Sequence, residues 1–116
     1  MKILLVDDEQ EFVTALAERL TLRDMDASVA TDGEMALALI DTDPPDVVVL
    51  DIMMPGMNGL DVLERIKSIH PGIPVILLTA RGATKDGIQG AKLGAFDYLI
   101  KPIDIDELIQ KLNEAI

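Results

Sequence analysis

The hydrophobic pattern of the chain alternates between two periods. Short unbroken apolar runs recur at Ile3-Leu4-Leu5-Val6, Val47-Val48-Val49-Leu50 and Val75-Ile76-Leu77-Leu78, with a weaker run at Ala27 to Ala30 and a last one at Phe96 to Ile100. Continuous apolar runs bounded by turn residues predict strands buried on both faces, as at the centre of a parallel sheet. Between them the spacing opens to that of helices. Phe12, Leu16 and Leu20 stand four apart, with Val13 and Ala17 on the same stripe. Thr31-Asp32-Gly33-Glu34 has the spacing of a capping box and predicts a short helix through Ile40, before a break at Asp43-Pro44-Pro45-Asp46. Leu60, Leu63, Ile66 and Lys67 predict a helix that stops before Pro71-Gly72. Thr84 to Leu93 predicts a poorly formed helix closed by Gly94, and Asp104, three residues before Glu107, caps a last helix carried by Leu108, Ile109 and Leu112.

The resulting β-α alternation, five times over, predicts an α/β fold. A five-stranded parallel sheet carries helices on both faces, with residues 1–116 as one domain. Right-handed crossovers place the carboxyl ends of all the strands on one edge. That edge is where such sheets bind ligands.

Composition narrows the chemistry. A hydrophobic fraction of 49% is enough for a full core, and the absence of cysteine removes disulfides, zinc-thiolate clusters and thiol nucleophiles. The apolar runs are too short to span a membrane, and Met1-Lys2 leads into a strand with no signal-peptide pattern, so the expectation is a soluble, cytoplasmic domain. A net charge of −11 repels phosphate backbones and argues against direct nucleic-acid binding by this domain.

The polar residues that close the apolar runs carry the functional argument. Asp7-Asp8 follows the first, Asp51 the third, Thr79 the fourth and Lys101 the fifth. Alone, Asp51 reads as readily as a solvated loop residue or the N-cap of the next helix as it does as a functional group; four such groups on one sheet edge make a site. Crowded carboxylates repel by roughly 4 kcal/mol per close pair at an effective dielectric near 20, so either one takes up a proton or a cation sits among them. Oxygen ligands without His or Cys favour a hard ion, Mg²⁺ before zinc. With a lysine and a hydroxyl beside it, the arrangement suits a phosphoryl group attached to, or attacked by, a carboxylate.

VDDE at 6–9, LDIMMPGMNG at 50–59, LLTA at 77–80 and DYLIKP at 97–102 resemble the receiver domain of two-component response regulators, over essentially the whole chain. The resemblance implies a flavodoxin-like sheet of order 2-1-3-4-5. It implies Asp51 as phosphoacceptor from a sensor histidine kinase or a histidine phosphotransfer protein. Mg²⁺ (or Mn²⁺) would be held by Asp8, Asp51, the Met53 backbone carbonyl and, mainly through water, Asp7. Thr79 and Lys101 would bind phosphoryl oxygens, and the Lys101-Pro102 peptide would be cis. Thr79 and Tyr98 would form the switch, Tyr98 turning from exposed to buried. The readout would be the surface of the fourth helix, fifth strand and fifth helix, toward an output domain, a downstream protein or a second copy on phosphorylation. On this reading the domain is not an enzyme beyond its own phosphotransfer and dephosphorylation, and it is either a stand-alone regulator or cut from a longer one.

Two competitors use similar residues. A Mg²⁺-dependent phosphohydrolase of the haloacid-dehalogenase kind wants a carboxylate two residues after the nucleophile, where this chain has Met53, and a flavodoxin wants a hydroxyl-rich phosphate loop in place of Asp7-Asp8-Glu9. Less typical features complete the expectations. Gly82, Gly87, Gly90 and Gly94 crowd the fourth helix, where interior glycines cost roughly 0.8–1 kcal/mol each, so it is expected to be mobile before phosphorylation. Met53 and Arg81 are placed to tune hydrolysis of the phosphoryl group. Met54 and Met57 read as packing, Pro55 and Gly59 as the turn that leaves Asp51 open, and His70 as a solvated residue at a helix end.

Overall fold

Every position of the runs at 47–51 and 75–79 is buried, as expected of central strands. The structure is a computed structural model and describes residues 1–54, 56, 58–80 and 84–116. The elements in chain order are β1 (Lys2–Val6), α1 (Gln10–Thr21), β2 (Asp26–Ala30), α2 (Gly33–Thr42), β3 (Val47–Asp51), α3 (Gly59–Ile69), β4 (Val75–Thr79), α4 (Thr84–Lys92), β5 (Asp97–Ile100) and α5 (Ile105–Ala115). The strands form one sheet of order β2-β1-β3-β4-β5, parallel throughout. This is the fold expected from the sequence. The expectations placed on Pro55, Met57, Arg81 and Gly82 lie outside the described residues.

Side chains alternate across a strand, so each apolar run feeds two cores. Leu4, Val6, Val48 and Leu50 pack with Ile40 of α2 and with Leu63 and Ile66 of α3 on one face. Ile3, Leu5, Val47 and Val49 pack with Leu16 and Leu20 of α1 and with Leu108 and Leu112 of α5 on the other. No helix among the described residues is long and apolar enough to cross a membrane.

Local details correct three expectations. The N-cap of α2 is Asp32, not Thr31: its carboxylate accepts the Met35 amide at 2.7 Å, and a charged acceptor at the residue directly before the helix serves the orphan N–H groups better than a hydroxyl one residue earlier. The buried stripe of α1 is Val13, Leu16 and Leu20, while Phe12 sits at its margin, half-buried. His70 is the C-cap of α3 and is not simply solvated, because its Nε2 lies 2.8 Å from Asp41 at the end of α2. Asp104 does cap α5, through the Asp106 amide at 2.9 Å.

The helix α4 ends as its sequence suggests. Gly94 has φ +103°, and the amides of Gly94 and Ala95 donate to Ala91 and Gly90 carbonyls at 3.2 and 2.9 Å, a complete Schellman closure. Its interior glycines also have a packing reason. A Cβ on Gly90 would run into the Leu77 side chain in the core, and one on Gly87 would stand 3.3 Å from the Tyr98 ring.

Candidate functional site

Register explains why residues far apart in the chain meet at one edge. Val6 pairs with Leu50, so the next residues, Asp7 and Asp51, leave their strands side by side. Thr79 pairs with Ile100, and the Lys101 amide donates to the Thr79 carbonyl at 2.8 Å, which carries Lys101 to the same edge. Behind Asp51, Gly59 starts α3: its amide donates to the Ile52 carbonyl at 2.9 Å, and a Cβ there would collide with the backbone of Asp51 and Ile52. Asn58 caps the helix by accepting the Asp61 amide at 3.0 Å. The turn therefore brings α3 close under the carboxylate, which only glycine at position 59 permits.

Asp7, Asp8 and Asp51 each present an oxygen within 4.8 Å of the others. Asp7 and Asp51 are buried, at 0% and 3% exposure, while Asp8 faces solvent. Lys101 Nζ donates to Asp7 Oδ2 at 2.9 Å and Glu9 Oε1 at 3.3 Å, and stands 3.7 Å from Asp51 Oδ2. The other Asp51 oxygen accepts the Met53 amide at 3.2 Å. Thr79 is buried and its hydroxyl lies 3.5 Å from the Leu99 carbonyl. The Lys101-Pro102 peptide is cis, and Tyr98 is exposed at 40%.

The electrostatics follow from this crowding. Burial raises the Asp51 pKa to about 6, helped by the charges of Asp7 and Asp8 and opposed by Lys101 and the Met53 amide. Burial works to lower the pKa of Lys101, but the hydrogen bonds to Asp7 and Glu9 and the charges of Asp51 and Asp7 outweigh it and the net shift is upward. One ammonium thus answers several carboxylates. A site made only of oxygen donors, two of them on buried carboxylates and one already resisting ionisation, has the chemistry to hold a hard cation.

Residues 3–113 match the family described as response regulator receiver domain. The chain belongs to that family. It is 48% identical over 112 residues to the transcriptional regulatory protein CpxR of Klebsiella pneumoniae subsp. pneumoniae, covering 97% of this chain and 47% of the relative. It is 43% identical to the probable transcriptional regulatory protein TcrX of Mycobacterium tuberculosis, covering 96% and 47%. The chain spans about half the length of the curated relatives it matches. Among solved structures, the receiver domain of NtrX from Brucella abortus superposes with a TM-score of 0.93 at 34% identity, covering 97% of this chain and 96% of that one. The Francisella response regulator 1452 receiver domain gives 0.91 at 38%, covering 98% and 94%.

As a receiver, the chain is a phosphoacceptor signalling module, and the phosphohydrolase alternative finds no support. Asp7, Asp8, Asp51 and Lys101 converge as the strand ends predicted. Thr79 and Tyr98 lie on the neighbouring strands β4 and β5, not in contact with Asp51 through any hydrogen bond of the described residues. Two side chains that touch Lys101 were not anticipated. Glu9 belongs to the VDDE run, where nothing in the sequence marks it as a partner of Lys101, and Phe12, 4.9 Å from Nζ to ring centroid, carries in the sequence only the spacing of a core stripe.

Proposed function

We propose that Asp51 is the phosphoacceptor, taking a phosphoryl group from phosphohistidine on a partner kinase or phosphotransfer protein. A carboxylate oxygen of Asp51 attacks phosphorus in line as the P–N bond to the imidazole breaks, leaving an acyl phosphate and a free histidine. The observation that carries this is the buried Asp51 carboxylate at the strand edge, poorly solvated yet ionised at neutral pH, with Lys101 Nζ 3.7 Å away. Poor solvation favours attack, since less water must leave the nucleophile.

Lys101 binds one phosphoryl oxygen and Thr79 another as the group arrives. The carboxylates of Asp8 and Asp51 and the Met53 backbone carbonyl, with Asp7 mainly through water, would hold Mg²⁺ or Mn²⁺. When bound, the ion neutralises charge on the phosphoryl oxygens. The acyl phosphate later hydrolyses within the domain, at a rate that Met53, exposed at 65% beside the site, and Arg81 tune.

The switch pairs Thr79 with Tyr98: Thr79 moves toward the phosphoryl group and the Tyr98 ring turns inward past Gly87. The readout is the α4-β5-α5 surface, where Ile88, Phe96, Tyr98 and Ile100 are exposed apolar side chains. That surface addresses an output domain, a downstream partner or a second phosphorylated copy, from a receiver of residues 1–116 working in the cytoplasm. Acetyl phosphate with Mg²⁺ tests the proposal: an adduct found by intact mass and absent from Asp51→Asn supports it, and steady turnover of a small phosphate ester would count against it.

A further inference from the structure

We propose that Phe12 is a positioning residue for Lys101, holding the ammonium at Asp7 and Asp51 through the face of its ring. The proposal rests on the reading of Asp51 as phosphoacceptor and of Lys101 as a ligand of the phosphoryl oxygens. An ammonium has three N–H donors. Two go to Asp7 Oδ2 at 2.9 Å and Glu9 Oε1 at 3.3 Å, which leaves one donor free, since the Asp51 oxygen at 3.7 Å is too distant to be a full hydrogen-bond partner. The phosphoryl group must be met by that free donor.

Phe12 stabilises the charge without using a donor. Its ring centroid lies 4.9 Å from Nζ, within cation–π range, and the attraction is to the ring face. Glu9 is a weaker guide, because its carboxylate is 65% exposed and water screens its pull. Phe12 is anchored instead. It packs at the edge of the α1-α5 core and forms one wall of a groove of about 140 Å³ with Leu16, Arg19, Ile103 and Ile105. A ring seated against the core edge on one side gives Lys101 a preferred place before the phosphoryl group arrives.

The test is a double-mutant cycle on the rate of phosphorylation by acetyl phosphate with Mg²⁺. Phe12→Leu keeps apolar bulk but no ring face, and should slow the reaction about two- to fivefold, the size of a partly exposed cation–π contact. Phe12→Tyr should restore the rate, and Phe12→Leu should have no further effect in a Lys101→Ala background. The same loss in that background, or no rescue by tyrosine, would mean that Phe12 matters only for packing. A measurement without any variant accompanies the cycle: the Lys101 Cε protons should be shifted upfield by the ring current, and unshifted protons would overturn the contact. If the unaltered protein forms no Asp51 adduct, the phosphoacceptor reading fails; if the adduct forms and Phe12→Leu matches its rate, only the role of Phe12 fails.

Discussion

Removing the charge of Asp51 should stabilise the metal-free protein while abolishing its phosphorylation. Burial, with Asp7 and Asp8 adding to it, moves the Asp51 pKa from 3.8 to about 6 in the folded chain. A shift of about two pKa units corresponds to about 3 kcal/mol held against the ionised form in the native state. The sign follows from proton binding. Between pH 4 and 6 the native state holds a proton on Asp51 that the unfolded chain has released, so stability falls as pH rises through that window and stays lower above it. Asn keeps an oxygen to accept the Met53 amide but forfeits attraction to Lys101, so Asp51→Asn should gain about 1–3 kcal/mol at pH 7.5 and far less at pH 4.5. Urea unfolding of both proteins in EDTA, at several pH values, reads the difference, because the carboxylates remote from the site contribute equally to both proteins. Adding Mg²⁺ should stabilise the unsubstituted protein and close the gap. A gap that does not change with pH, or a less stable Asp51→Asn at pH 7.5, would refute the reasoning.

Glycine substitutions and amide exchange give further expected outcomes. Gly59→Ala should cost about 1–3 kcal/mol or more, since the obstacle is the backbone of Asp51 and Ile52, and Gly90→Ala should also lower the urea midpoint because the clash with buried Leu77 outweighs the gain in helix propensity; Gly72→Ala, with open space around its Cβ, should be near neutral. Amide exchange across α4 should be faster than across α3 in the unphosphorylated protein, and equal protection would show that the Gly90-Leu77 and Gly87-Tyr98 contacts compensate for the glycines.

Most of the fold was legible because its signals are local. Runs such as Val47 to Leu50 and Val75 to Leu78 declare central strands, and Gly94 and Asp104 mark helix ends through chemistry confined to a few residues. The outline of the site was legible for the same reason, since Asp7, Asp51, Thr79 and Lys101 each close or follow an apolar run and parallel topology does the rest. What escaped depends on three-dimensional approach. Nothing near Phe12 in the chain announces Lys101, 89 positions on, as its neighbour. The His70-Asp41 pair joins two helix ends that no periodicity relates. Gly87 and Gly90 read as helix weakeners because propensity is a property of one segment, whereas the space they leave is filled by Tyr98 and Leu77 from neighbouring strands.

The central claim is that Asp51 accepts the phosphoryl group. Incubation with acetyl phosphate and Mg²⁺, followed by intact mass, measures it most directly. The account predicts a single phosphoryl adduct on the unsubstituted protein, lost when EDTA replaces Mg²⁺ and missing from Asp51→Asn. No adduct under these conditions, or an adduct that survives Asp51→Asn, would contradict it.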